Sequence, residues 1–566
     1  MHPPRIGADT DLWGDYHQAP VFFDMYYEIY CDSSNLELLH TGQIYIDPFG
    51  VRDVSNFSWM EAETGPGAIS YSWWVRMESL RHMLPFIRST NDQHREVIRE
   101  WFGKWYLQHN NAQEPNKAAW ERMTSAIRSM VLVFYLTQVE AMSEPDESLL
   151  AQLRETLIDH QEFLADPKNF DTKSNHAMWE AIGLYELTRV FPNSDYELLA
   201  LERLQFIVDK SVSAMGVHRE HAAGYHFHFL KWLHEYTYYL KSMPNLSWPG
   251  LIGIEDKLQA MLRAAYFMQD HDGNIPAIGD TDRSRAEEPF ALSTTTDDDG
   301  VYFDKEAGFA IYKDDAASGR ARYVVFNIQN CTPELPYHYH DDALAVYFSC
   351  GGEVILGDQG RYEYAKSIER SYFVSSSAHN TVVPMRFLNF GTDQMRSGVG
   401  VSMRLVREPD WADDGDAIAF SAKLPRVSSS RANQMTRRIL IPKTLPYIEV
   451  EDNISGAYPI VILWNIGPDV KSIQQHARTT DEHGLRTEFS LITQNDKEYL
   501  MSVSVSGPKK EDLFFPIDVR EGTNDPMLGW YSPGYQQKLP SKVIIVQLHP
   551  SLRQPVTAVM RITAVE

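Results

Sequence analysis

Between Pro336 and Val383 the chain reads PYHYHDDALAVYFSCGGEVILGDQGRYEYAKSIERSYFVSSSAHNTVV, and imidazoles and carboxylates gather there. His338, His340 and Asp342 fall on alternate positions, so in an extended segment all three point the same way. Leu344, Val346 and Phe348 continue that face, which turns from polar to apolar along one strand. Cys350-Gly351-Gly352-Glu353 predicts a hairpin turn, and EVILGD returns as a second strand ending at Asp358. His379 follows in AHN, just before an apolar TVV. An H-x-H pair by itself is commonly a solvated strand. Here the neighbouring Asp342, an aspartate at a strand end and a further histidine add donors of the kind that suits tetrahedral zinc. A plain hairpin at Gly351-Gly352 sets Asp358 opposite Ala345, however, so spacing alone does not bring it to His340.

Two segments of the preceding half carry chemistry as well. Asn175 and His176 open an apolar-periodic segment, and Asn175, Trp179 and Ile182 share one helical face. A helix N-terminus favours negative charge, so this end suits a carboxylate; a capping Asn beside a surface His is the plainer reading. The second segment, GVHREHAAGYHFHFL (216–230), holds four histidines, Arg219, Glu220 and Tyr225. Tyr225 follows Gly224 where a helix can begin, which allows its hydroxyl to face a cleft; an aromatic-rich core helix is the alternative.

The elements that must position these residues change character along the chain. Residues 1–70 are aromatic-rich and irregular, with DPFG and TGPGA as turn signals. Helical spacing then recurs over 116–142, 147–166, 174–192, 195–215, 225–243 and 255–270, joined mostly by short segments. Consecutive helical hairpins of this kind pack as an array or toroid. After HDGNIPAIGDTD (271–282) and STTTDDDG (293–300) come short β-branched runs such as ARYVVFNIQ, AIAFSAKL, RRILIP, PIVILWNI and TAVMRITAV. These predict stacked antiparallel sheets. The expected organisation is an α-helical domain over 1–300 and a β-sandwich over 301–566.

Acidic residues outnumber basic ones 77 to 52, for a formal charge of −25. Nucleic acid is excluded as the main partner, since phosphate binding needs a basic surface. A heavily sulfated polyanion is disfavoured at long range for the same reason. Three cysteines without CxxC spacing exclude a disulfide framework, and no run of 18 apolar residues predicts a membrane span. The first residues show no signal peptide, which leaves a cytoplasmic protein, or a periplasmic or secreted one from which a leader has been removed.

SNHAMWEAIGLY, HREHAAGYHFHF, DGNIPAIGDTD, YHYHDDALAVYFSCGGEVILGDQGRYEY and SSSAHNTVV together resemble the heparinase II/III-like polysaccharide lyases and the related alginate lyases, in the family's order, across roughly residues 170 to 385. The resemblance implies an incomplete α/α toroid followed by an antiparallel β-sandwich, and β-elimination at a uronic acid. It implies that Asn175 and His338 neutralise the uronate carboxylate, that Tyr225 delivers a proton to the departing O4, and that His176 serves as base for substrates whose H5 and O4 leave from opposite sides. Where they leave from the same side, Tyr225 serves as base and acid. Arg361 and Tyr372 are further candidates for substrate contact. The same resemblance implies a structural zinc held by His340, Asp358 and His379. Glu180 lies four residues after His176, where a relative has its acidic residue three after, and receives no catalytic role.

Two other readings compete. Toroids also host glycoside hydrolysis by paired carboxylates, for which Glu180, Asp280 and Asp282 are the candidates, but no spacing singles them out. A non-catalytic glycan-binding or assembly protein is a third class. The expected partner is an anionic polysaccharide or oligosaccharide: heparan-type glycosaminoglycan, alginate, hyaluronan, chondroitin or a bacterial exopolysaccharide.

Overall fold

The computed structural model describes residues 33–46, 49–54, 71–109, 117–243, 246–287, 290, 300–314, 320–330, 337–388, 406–425, 433–456, 458–481, 484–507, 516–550 and 555–565. Cys31, Cys331, Pro336, the TGPGA signal, part of DPFG and all but the last residue of the 293–300 run lie outside them. Two compact units emerge: Met1–Ser211 with Trp232–Asp256, and Val212–Lys231 with Lys257–Glu566.

In the first unit the 3.6-residue periodicity becomes helices. Arg122–Glu140 starts at Glu121, whose carboxylate accepts the Thr124 N–H at 2.7 Å, and is buried on almost every face. A helix apolar all round belongs inside a domain, and Glu147–Ala165 and His176–Val190 both pack on it. Gly183 makes the second contact close: a Cβ there would lie 2.9 Å from that of Ala126. Asp146 caps Glu147–Ala165 through the N–H groups of Ser148 and Leu149, and the predicted leucines 149, 150, 153 and 157 are all buried.

The second unit holds the sheets. Val301–Asp304, Phe309–Lys313, Arg322–Asn327, Val346–Cys350 and Glu353–Leu356 form a five-stranded antiparallel meander. A nine-stranded sheet runs in the order Arg407–Asp413, Ala417–Leu424, Asn433–Pro442, Tyr447–Gly456, Val556–Ala564, Glu498–Ser506, Gly484–Thr493 and Val470–Gln475, with Thr479–Asp481 paired beside Gly484–Thr493. A four-stranded sheet orders Val382–Pro384, Ile460–Asn465, Lys542–Leu548 and Ile517–Glu521. One core joins all three sheets, which makes a sandwich. Ile460, Ile462 and Trp464 face that core, while Val461 and Leu463 turn to a second cluster with Tyr372 and Phe373. Both faces are covered, which is why PIVILWNI lacks polar alternation.

The Gly351-Gly352 hairpin forms as expected, with φ of 58° and 83° at the two glycines. The strand expected over His338–Ala345 does not. Pairing begins at Val346, and His338 (φ 58°) and Leu344 (φ 60°) take left-handed backbone that breaks the alternation. The chain folds back instead, with the Ala345 N–H on the Asp342 carbonyl. A buried arginine fixes this departure. Arg437 donates to the carbonyls of Leu344 and Asn380, both at 2.6 Å, and grips Asp452 by two bonds of 2.7 Å. Asn380 in turn donates to the carbonyls of Val346 and Gly357. The bend, the end of the hairpin and the AHN segment are thereby held together, which the straight hairpin geometry could not do.

Candidate active site

Tyr225 and His338 come together in the second unit. Their rings stack with centroids 3.6 Å apart and 22° between planes. The loop 278–281 positions both. Ala223 N–H donates to the Ile278 carbonyl and Gly224 N–H to Thr281 Oγ1 at 2.8 Å, which seats the start of the helix Ala223–Ser242 and so Tyr225. Gly279 (φ 62°) lies between the two segments that carry Tyr225 and His338, since a Cβ there would meet the carbonyls of His221 at 2.4 Å and His338 at 3.0 Å. Only a glycine fits that gap.

Asp280 then organises the imidazoles. Its Oδ2 is 2.9 Å from His338 Nδ1, its Oδ1 is 2.9 Å from His340 Nε2, and Arg370 donates to Oδ1 at 2.5 Å. Burial alone would raise this carboxyl, but the hydrogen bonds from His338 and His340 and the Arg370 charge hold it well below the usual carboxylate range. His338 Nε2 faces Glu220 at 3.6 Å. Burial, followed by Tyr364, Asp280 and Glu220, pushes the Tyr225 phenol well above its ordinary value.

Arg361 and Tyr372 part company. Arg361 reaches the same cluster: it donates to Tyr364 Oη and forks onto Asp282 at 3.1 and 2.6 Å. Burial pulls its guanidinium down, but hydrogen bonding to Asp282 outweighs that and holds it above its usual value. Tyr372 is fully buried at 0% exposure in the second cluster, where its hydroxyl accepts the Trp530 N–H at 3.4 Å. The ring expected to contact substrate is therefore a packing residue. Tyr364, 40% exposed and 3.0 Å from Tyr225 Oη, is the tyrosine of this segment that reaches the site.

His340, Asp358 and His379 also meet, with one ligand atom from each within 4.8 Å of the others and all three buried. His340 Nδ1 and His379 Nε2 are buried without a hydrogen-bond partner among the described residues. Asp280 occupies the other nitrogen of His340, and Asp358 lies 3.0 Å from the other nitrogen of His379. Two imidazole nitrogens without hydrogen bonds beside a carboxylate, each ring oriented by a carboxylate, fit a metal ion.

In the first unit Asn175 takes the cap position before the helix His176–Val190, yet its side chain makes no cap bond. The Ser174 hydroxyl accepts the His176 N–H at 3.3 Å in its place. His176 is 40% exposed, with Glu121 Oε1 3.9 Å from its Nδ1. Glu180 is wholly buried, accepts the Asp171 N–H at 2.6 Å, and is pushed by burial up to about 8.

Sequence reasoning passed over Asp280 as a partner of the histidines, and over Tyr364 and Arg370 altogether. The only trace was Asp280 inside GDTD and Tyr364 inside RYEY, because contacts across 58 and 139 residues leave no local period.

Comparison with known proteins supplies the family. Residues 70–289 match the heparinase II/III N-terminus and residues 301–559 the heparinase II/III-like C-terminal region. Nothing among curated proteins matches. The structure is similar to heparinase III at 12% identity and a TM-score of 0.72, covering 100% of this chain and 87% of that one. It is also similar to a heparan sulfate lyase from Pedobacter heparinus (13%, TM-score 0.62, 94% and 83%) and to a Paenibacillus xanthan lyase (8%, TM-score 0.53, 94% and 56%). At such identities the likeness speaks for the fold, a helical toroid followed by an antiparallel β-sandwich. The matched regions span most of the sequence, and the chain belongs to the heparinase II/III family of polysaccharide lyases.

Proposed function

We propose that the protein cleaves a uronic-acid-containing polysaccharide by β-elimination, leaving a 4,5-unsaturated uronate. The observation that carries this reading is the stack of Tyr225 on His338 with His338 Nδ1 tied to Asp280. The obstacle is the weakly acidic C5 proton beside a carboxylate. In this reading Asn175 and His338 hydrogen-bond that carboxylate, so charge developing at C5 spreads into it; preorganised donors of this kind are each worth about 2.7–4 kcal/mol. Asp280 accepts from His338 Nδ1 and leaves Nε2, 3.6 Å from the Glu220 carboxylate, as the nitrogen that would meet the substrate. The C5–H bond breaks to the base, its electrons form the C4–C5 double bond, the C4–O4 bond breaks, and Tyr225 gives O4 its proton. The base is His176 where H5 and O4 leave from opposite sides, and Tyr225 where they leave from the same side. Positioned proton transfer contributes roughly 10²–10⁴-fold.

The allotted domains are 1–300 for the catalytic toroid and 301–566 for the sandwich. His340, Asp358 and His379 would hold zinc, which supplies a structural tie between the bend at His340 and the end of the hairpin. Suitable substrates are heparan-type glycosaminoglycan, alginate and related uronate polymers. Hydrolysis by Asp280 and Asp282 is disfavoured: Asp280 is held ionised and shared by three donors, and Asp282 is forked by Arg361. The test is absorbance of the conjugated product on a panel of uronate polysaccharides, for wild type and Tyr225→Phe. Absorbance on one polymer, lost in the variant, is expected; new reducing ends without absorbance would overturn the reading.

A further inference from the structure

Tyr225 raises a difficulty for any proton donation it makes. Its half-buried phenol, stacked on His338, is in a setting that opposes a phenolate, yet giving a proton to O4 leaves one. Tyr364 Oη lies 3.0 Å from Tyr225 Oη. Arg361 donates through Nη1 to that same Tyr364 oxygen, and its guanidinium carbon sits 4.9 Å from the Tyr364 ring centroid. A guanidinium has no acceptor, so Tyr364 Oη accepts from it. Asp282 fixes the other edge of the guanidinium by two hydrogen bonds. The series Asp282, Arg361, Tyr364, Tyr225 is thus an unbroken hydrogen-bonded line.

We propose that Tyr364 is a proton-relay residue for Tyr225, an inference that rests on the elimination proposed above. As the Tyr225 O–H bond breaks and the O4–H bond forms, the Tyr364 O–H bond breaks and a new O–H bond forms on Tyr225. The phenolate ends on Tyr364, next to the Arg361 cation and on a ring that is 40% exposed. Burial pushes the Tyr364 phenol up as well, but the Arg361 charge opposes that, so the charge rests beside a cation and not on Tyr225. Where His176 is the base, it gives the C5 proton to water after product departure while Tyr364 takes one back, so atoms and charge balance over the cycle. Deletion of the relay strands the charge on Tyr225, which raises the barrier without altering how substrate is held.

The experiment uses the full-length protein, Tyr364→Phe, and whichever polymer yields absorbance with wild type. The substitution deletes one exposed hydroxyl, so an unchanged melting temperature is the control. The expected result is a kcat lower by about tenfold or more with KM held, and a proton inventory in mixed light and heavy water that bows for wild type and straightens in the variant. A structural role would not straighten it. An unchanged kcat, a raised KM in its place, or an inventory equally bowed in both proteins would overturn the relay alone. Absence of absorbance with wild type on every polymer would overturn the elimination and the relay with it.

Discussion

His338 and His340 are joined through a single carboxylate: Asp280 Oδ2 lies 2.9 Å from His338 Nδ1, and Oδ1 lies 2.9 Å from His340 Nε2. The residue proposed to neutralise substrate and the residue proposed to ligate metal therefore share one orienting group. Each ring must present its N–H to Asp280, which sets both tautomers and leaves His338 Nε2 beside Glu220 and His340 Nδ1 without a hydrogen bond in its buried place.

Asp280→Asn tests this coupling. An amide offers one acceptor where the carboxylate offers two, so one imidazole loses its partner and Arg370 loses its anion. Elimination is expected to fall by about 10²-fold or more, and metal affinity by roughly 10–100-fold as for other oriented ligands. Rate and bound-metal content measured on the same preparation check it. A variant impaired in neither would show that Asp280 serves only packing.

Metal binding itself gives a second expectation. The purified chain should carry zinc, and His379→Ala should abolish it, because the variant removes one of two aimed imidazoles. Zinc at about a hundred times its dissociation constant stabilises the fold by roughly 2.7 kcal/mol. Chelation should thus lower the melting temperature of wild type and leave His379→Ala unmoved. Elemental analysis with thermal melts decides it; equal responses of the two proteins would refute the ligand set.

Much of the fold was legible because burial imposes a period. The leucines of Glu147–Ala165 and the β-branched run of Ile460–Asn465 announced a helix and a strand, and Gly351-Gly352 announced the turn between strands. Arg407–Asp413 was not legible: it is almost entirely exposed at the edge of its sheet, so REPDWAD carries no apolar face. The proposed metal ligands were reached through resemblance, since Arg437 and Asn380 hold the bend that joins them and neither lies within it. Tyr372 misled because RSYF places an aromatic in the right segment, while the second hydrophobic cluster claims the ring.

Arg437 sets a prediction for stability. It is fully buried with Asp452, and it also supplies the donors for the Leu344 and Asn380 carbonyls. Arg437→Met leaves Asp452 buried without its partner, a change that costs about 3–5 kcal/mol. The pair Arg437→Met with Asp452→Leu should recover part of that stability but still release the bend at Leu344. Urea unfolding reads the first effect and zinc content the second. If the double variant kept wild-type metal content, the arginine would not be what holds the site together.

Glu186 gives a dependence on pH that can be isolated. It is buried on the helix His176–Val190 and accepts from Tyr236 and Tyr239 at 3.0 and 3.1 Å. Burial pushes its carboxyl up to about 7, against hydrogen bonds from the two tyrosines and the Arg189 charge. In the unfolded chain it ionises near its ordinary value of 4.5. Between these values the folded chain holds a proton that the unfolded chain has released, so stability from this group falls as pH rises from about 4.5 to 7 and is flat above. The whole change is on the order of 3 kcal/mol. Glu186→Gln keeps an acceptor for one tyrosine and removes the titration. The difference in unfolding free energy between the variant and wild type should therefore grow in the variant's favour between pH 5 and pH 8, with other titrating groups cancelling. Urea melts at several pH values check it, and parallel curves for the two proteins would place the Glu186 proton elsewhere.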